Sequence, residues 1–246
     1  MKKLVGYITS SFPSNNFTVD LALSMKESGV DTLELGMPFS DPVADGPVIE
    51  AANLKALENG YTLNDLFEVS SKIAPHMDTL WMGYMNPFYH KGMEYFLQKA
   101  DEFGINGTII PDLPHEEAQK YLPMFDKYDK SIISFVAPTD SEQRIETLVK
   151  NSKKFIYLVA YAGITGSGKS EDLSQIIENI RKYSQTPVYI GFGVNEKTAK
   201  EKAVGVDGVI VGSSFVQKLL DDSLSNSEKI AKISAIAKEI KAKINE

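Results

Sequence analysis

The sequence contains no cysteine, one tryptophan and three histidines. Without cysteine, neither disulfides nor thiolate zinc sites are available. His76, His90 and His115 are scattered and show no metal-ligand spacing, so no metal site is expected. A basic excess is also missing: 26 Lys and Arg stand against 33 Asp and Glu, a net charge of −7. That balance argues against a nucleic-acid binder, which needs a basic face. No apolar run approaches the length of a membrane span. The apolar run after Lys2 and Lys3 is too brief for a signal peptide, and the expected location is the cytoplasm. No linker or low-complexity segment divides the chain. What is present, 43% hydrophobic and 24% charged residues over 246 positions, suits a soluble globular protein with a large core.

Short β-branched runs alternate with amphipathic segments throughout. Strands are expected at 3–9, 31–35, 79–83, 107–110, 131–136, 155–160, 188–190 and 208–211. Helices are expected at 17–28, 47–59, 63–74, 92–103, 115–128, 141–151 and 170–183, with a short one from Glu196 and further ones near 214–220 and 227–244. Strands alternating with helices imply a parallel sheet with helical crossovers. Eight such units match a (β/α)8 barrel, here a single domain over 1–246; a doubly wound open sheet is the alternative. Gly29-Val30-Asp31, Gly104-Ile105-Asn106 and Gly205-Val206-Asp207 each precede a strand. Each Gly suits a helix end, and each Asp or Asn suits the turn into the sheet. The last segment carries Ile230, Ile233, Ile236, Ala237, Ile240 and Ile244 at helical spacing, an amphipathic closing helix with a solvated basic face.

One stretch, LELGMPFSDPVADGPVIE at 33–50, is too ornate for a plain connection. Barrel active sites lie at the carboxyl ends of the strands. Strand alternation turns Leu33 and Leu35 towards the helices and Thr32 and Glu34 into the barrel. Desolvation there raises the pKa of Glu34 and fits it for acid–base work near neutral pH. A Glu paired with a buried cation is the structural alternative, but no Lys or Arg holds an obvious inward position near a strand end. Pro38, Pro42 and Pro47 stiffen the loop that carries Asp41 and Asp45. Asp45 is read either as a second functional carboxylate or as the cap of the helix that follows.

Other strand ends add to this rim. Residues 163–170 satisfy G-x-x-x-x-G-K-S, the P-loop pattern, after a strand and before a helix. A nucleotide site would also need an acidic magnesium partner, for which Asp112 is the clear candidate; a Gly-rich loop over a barrel mouth explains the same residues. Gly191-Phe192-Gly193 and Gly212-Ser213-Ser214 fall after strands seven and eight, where barrels commonly bind phosphate. Asn86-Pro87 and Pro111-Asp112-Leu113-Pro114 extend the rim, with Asp112 read as structural. Tyr84 and Tyr157 either line the pocket or pack.

The motifs LELGMPFSDPVADGP, NP after strand three, PDLPHEE, VAPTDSEQRI, GITG, GFGV and VGSS follow one another in this order. Together they resemble the tryptophan synthase alpha chain family, over nearly the whole chain. The resemblance implies a lyase that cleaves indole-3-glycerol phosphate to indole and glyceraldehyde 3-phosphate. It implies catalytic roles for Glu34 and Asp45 and a phosphate site at Gly166, Gly193, Gly212 and Ser213. It also implies Tyr157 in the active site, Phe192 at the indole pocket and Thr165 on a loop that closes near Asp45. No cofactor is implied for this chain; pyridoxal phosphate belongs to the beta chain, the implied partner in an α2β2 heterotetramer. Departures from the family pattern are Ser10-Ser11-Phe12-Pro13 after strand one, Tyr161 where some members have Arg, and a missing or very short N-terminal helix. The competing readings are another phosphosugar barrel enzyme, a P-loop nucleotide binder and a non-catalytic alpha-like chain.

Overall fold

The computed structural model describes residues 1–160 and 173–246. The chain runs β1 (Lys3–Thr9), α1 (Asn15–Glu27), β2 (Thr32–Gly36), α2 (Pro47–Glu58), α3 (Leu63–Ile73), β3 (Asp78–Met82), α4 (Met85–Lys91) and α5 (Met93–Phe103). It continues with β4 (Gly107–Ile109), α6 (His115–Ala118), α7 (Leu122–Lys127), β5 (Ser131–Ile132), β6 (Ser134–Val136), α8 (Glu142–Val149) and β7 (Ile156–Val159). Then come α9 (Ser174–Tyr183), β8 (Val188–Gly191), α10 (Ala199–Lys202), β9 (Gly208–Val211), α11 (Ser213–Leu219) and α12 (Asn226–Lys243).

The strands form one sheet in the order β5-β4-β3-β2-β1-β9-β8-β7-β6, and every pairing is parallel. Its two ends, β5 and β6, are parted in sequence only by Ile133, so the sheet closes on itself as a (β/α)8 barrel. The expected continuous strand at 131–136 is thus two short ones. β5 pairs with β4, β6 pairs with β7, and the change of partner falls at the buried Ile133.

Register separates the faces. Leu33 pairs with Gly6, whose Cβ would meet Met25 of α1 and Phe215 of α11, so this side faces the helices. Glu34 pairs with Tyr7 on the opposite side, inside the barrel. The helix side is filled by packing such as that of α3, which starts with a Thr62–Asp65 capping box and buries Leu66, Phe67, Val69, Ser70 and Ile73. Trp81 of β3 tilts against Phe67 and donates its indole N–H to Ser70 Oγ at 2.8 Å. Inside, tyrosines stand among the usual branched aliphatics such as Val5, Leu80 and Ile210, and glycines make room for the rings. A Cβ on Gly36 would lie 2.3 Å from the Tyr7 hydroxyl, and one on Gly191 2.3 Å from the Tyr157 ring.

The repeated Gly-x-Asp/Asn turns form the barrel floor. Gly29, Gly104 and Gly205 all have positive φ, at 100°, 78° and 76°. Asp31 accepts Leu4 N–H at 2.8 Å, Asp207 accepts Val188 N–H at 2.7 Å, and Asn106 donates to Asp78 at 2.6 Å. Lys3 and Lys241 pair with Asp31, Lys154 with Asp78 and Arg181 with Asp207.

Three further expectations are corrected. The helix at 115–128 is two helices, because Pro123 in the first turn of α7 cannot donate to the preceding turn. The Asn86-Pro87 segment, for which no helix is expected from the sequence, is the first turn of α4 on the rim after β3, where Pro is tolerated and Asp112 caps Met85 N–H at 2.8 Å. The basic face of α12 is not wholly solvated: Lys229 is buried with its Nζ on Leu219 O at 2.7 Å, and Lys241 is tied to Asp31. Elsewhere the strand and helix ends differ from the expected ones by a few residues. Among the described residues, no helix is long and apolar enough to cross a membrane.

Candidate active site

The site begins at the carboxyl end of β2. Glu34 is only 3% exposed, and its Oε1 has no hydrogen-bond partner among the described residues. Burial, and then the nearby charge of Asp45, raise its pKa from 4.5 to about 8. Among the described residues no cation offsets these effects, so none of them makes Glu34 half of a buried ion pair. A buried carboxyl of this kind is mostly protonated at neutral pH.

Asp45 reaches the same pocket from the loop between β2 and α2. The loop is anchored at its start by Met37 N–H on Met82 O at 2.7 Å. It then turns through Asp45 N–H on Pro42 O at 2.9 Å. Gly46, in extended conformation, is the N-cap of α2 and Pro47 opens the helix; no side chain caps it. Asp45 is therefore not the capping residue, and its carboxylate is free for other contacts. Burial raises its pKa from 3.8 to about 6, with hydrogen bonds from Tyr84 and Asn53 pulling the other way. Its Oδ2 is buried and has no partner among the described residues. Two carboxyl groups in one pocket thus differ in proton affinity, because Tyr84 and Asn53 favour the anion of Asp45 and no described residue does the same for Glu34.

Three tyrosines enclose the pair. Tyr7 stands in register beside Glu34, and burial followed by the charge of Asp45 raises its pKa well above the usual value. Tyr157 of β7 is raised by burial, then by Glu34 and Asp45. Tyr84 is buried at the end of β3 and stacks on Phe39 of the β2–α2 loop, with centroids 5.4 Å apart. Phe192 stands edge-on to Tyr157 at 6.4 Å and is exposed. Sequence reasoning missed Tyr7 and Asn53. Alternation along 3–9 carried the signal for Tyr7, as the inward residue beside strand two. Asn53 had none, since a polar residue on a helix resembles a surface position.

A second feature lies across the mouth. Phe192 and Gly193 have consecutive positive φ values of 73° and 71°, a left-handed turn at the end of β8. Gly212 is the N-cap of α11, and a Cβ there would press on Ile49 and on Tyr7 Cβ, at 3.3 and 3.4 Å. The N–H groups of Ser213 and Ser214 open that helix and have no acceptor within it. Gly193, Gly212 and Ser213 therefore lie on the two loops where barrels place phosphate. Thr165, Gly166 and Tyr161, with the P-loop pattern at 163–170, lie outside the described residues. Asp112, which a nucleotide site would call on, is engaged in capping Met85 N–H at 2.8 Å.

The family model for the tryptophan synthase alpha chain matches residues 1–245. A tryptophan synthase alpha chain from Wolinella succinogenes is 56% identical over 246 residues, covering 100% of this chain and 96% of that one. Among solved structures, tryptophan synthase from M. tuberculosis is similar with a TM-score of 0.88 and 30% identity, over 100% of this chain and 94% of that chain. The alpha subunit from Campylobacter jejuni gives a TM-score of 0.87 and 32% identity, over 97% and 95%. The barrel, with its paired carboxyl groups and phosphate-type turns, belongs to the tryptophan synthase alpha chain family, a family of lyases.

Proposed function

We propose that this chain cleaves indole-3-glycerol phosphate by a retro-aldol reaction, with Glu34 moving the protons and Asp45 holding the indole nitrogen. The observation that carries this reading is the buried Glu34, without a cation partner among the described residues, in the same pocket as Asp45. Protonated Glu34 gives its proton to the indole ring carbon that bears the glycerol chain. The ring becomes cationic, and the charge rests on its nitrogen. Ionised Asp45 accepts a hydrogen bond from that N–H and stabilises the cation. Glu34, now a carboxylate, takes the proton from the adjacent side-chain hydroxyl. The carbonyl of glyceraldehyde 3-phosphate forms, the carbon–carbon bond breaks, and its electron pair neutralises the ring as indole. Glu34 ends protonated, ready for the next cycle.

The remaining residues position the substrate. Gly193, Gly212 and Ser213, together with Gly166, bind the phosphate; Tyr157 and Phe192 flank the ring; Thr165 completes the substrate-binding set. No metal or organic cofactor enters this scheme. The whole chain works as one barrel domain in the cytoplasm. Its partner is a beta chain carrying pyridoxal phosphate, in an α2β2 assembly. The surface that favours docking is the rim above β2 and β3, where Val43 and Tyr89 are 81% and 77% exposed. Val43 on the β2–α2 loop and Tyr89 on α4 display apolar side chains at the same rim, which supports an interaction site there.

The test is to incubate purified protein with indole-3-glycerol phosphate and measure indole, alone and with a beta chain. Indole is expected in both, with more when the beta chain is present. Absence of turnover in both conditions contradicts the proposal.

A further inference from the structure

The loop after β8 and the start of α11 are joined by a side-chain contact that the proposed reaction does not call on. Ser214 Oγ donates to the Glu196 carboxylate at 2.9 Å, in a partly buried position. Ser214 is the second residue of α11, two after the N-cap Gly212. Glu196 stands three residues after Gly193. The bridge therefore links the two turns to which the phosphate is assigned. The backbone ladder between β8 and β9 ends at Ile190 and Val209, before either turn begins. The β8 side of the bridge is itself pinned. Thr198 Oγ1 donates to Gly193 O at 2.6 Å and accepts Asn195 N–H at 3.0 Å. Asn195 Oδ1 accepts Lys197 N–H at 2.9 Å. Lys243 Nζ of α12 donates to Glu196 O at 2.6 Å. The Glu196 carboxylate thus reaches α11 from a fixed base.

We infer that Ser214 and Glu196 are positioning residues: their hydrogen bond holds the turn at Gly193 and the start of α11 at the spacing that lets both meet one phosphate. This inference rests on the phosphate site of the proposed reaction. Two separate backbone segments can share an anion only if their N–H groups are held in place beforehand, because hydrogen bonds weaken steeply with misalignment. The charge of Glu196 would act the other way. A carboxylate beside a phosphate site repels the ligand, so a strut and a bare charge predict opposite effects when the carboxylate is removed.

Ser214→Ala removes the donor, and Glu196→Ala removes the acceptor with its charge. Glu196→Gln removes the charge and keeps an acceptor. In the full chain, the dissociation constant of glycerol 3-phosphate is measured by titration calorimetry, beside kcat and KM for indole formation. Ser214→Ala and Glu196→Ala should each raise the dissociation constant and KM about three- to tenfold, the size of one hydrogen bond, with kcat within about twofold of wild type. The double variant should bind no more weakly than either single one, because both lose the same bond. Glu196→Gln should bind within about twofold of wild type, since its amide oxygen accepts from Ser214. Unchanged binding in Ser214→Ala overturns the inference. So does tighter binding in Glu196→Ala, which would make Glu196 a repelling charge, and so do additive losses in the double variant, which would mean that the two side chains act apart. Failure of the wild-type chain to form indole contradicts the proposed reaction, while glycerol 3-phosphate binding still decides on the bridge. A wild type that turns over beside a Ser214→Ala variant with unchanged KM and binding removes only the role of the bridge.

Discussion

Glu34 and Asp45 share a pocket and titrate apart because their surroundings differ. Glu34 has burial and a neighbouring charge; Asp45 has burial relieved by Tyr84 and Asn53. With pKa values of about 8 and about 6 in the free chain, kcat/KM for indole formation should be bell-shaped and highest near pH 7. The acid limb reports protonation of Asp45 and the basic limb loss of the proton from Glu34. A profile from pH 5 to 9 that stays flat between 6 and 8 contradicts these assignments. Stability should fall with pH across this range, on both sides of the activity maximum. The folded chain keeps the Glu34 proton up to about pH 8, while the unfolded chain releases it near 4.5. Stability from this group is therefore intact below pH 4.5 and is lost as pH rises towards 8, by at most about 1.4 kcal/mol per pH unit. Glu34→Gln removes that slope. Its Tm advantage over the wild type should grow from pH 5 to pH 8 and reach several degrees, at about 2–4 °C per kcal/mol. An advantage that does not change with pH means that Glu34 is not buried in the manner described.

At the scale of the element, the pairing of inward tyrosines with glycines on the next strand decides the shape of the pocket. Gly36→Ala drives a methyl group into the Tyr7 hydroxyl, 2.3 Å away, and the rigid strand offers no retreat. The expected cost is about 1–3 kcal/mol, measured by denaturant unfolding. Combined with Tyr7→Leu, it should cost less than the sum of the two single changes, because the clash is then gone; additive costs mean that the two side chains do not compete for one space. The same elements define what could be read from the sequence. Alternation in 31–35 placed Glu34 inside the barrel, since a two-residue period leaves little choice of face. The three Gly-x-Asp/Asn turns were legible because each needs a left-handed Gly and a short hydrogen-bonding side chain. The break at Ile133 was not legible: it arises when the closing sheet exchanges one neighbour for another, which no local pattern encodes. Asn53 and the stack of Tyr84 on Phe39 were hidden for the same reason, as contacts between elements distant in sequence.

The whole molecule separates its tasks by end. The floor is closed by ion pairs around Asp31, Asp78 and Asp207. The opposite rim carries the chemistry and, beyond it, the exposed Val43 and Tyr89. If that rim is the beta-chain surface, Tyr89→Asp should weaken assembly at least tenfold by titration calorimetry. Indole formation by the isolated chain should stay within about twofold of wild type, because Tyr89 lies outside the pocket; unchanged affinity means that the partner docks elsewhere. The central claim is that the buried, protonated Glu34 performs both proton transfers on a substrate held by other residues. It is tested most directly by indole formation from indole-3-glycerol phosphate in Glu34→Gln, with substrate binding measured on the same sample. Turnover should fall by about 10²–10⁴-fold or more while the dissociation constant stays within a few-fold of wild type. Turnover close to that of the wild type, in a variant that binds substrate normally, contradicts the account.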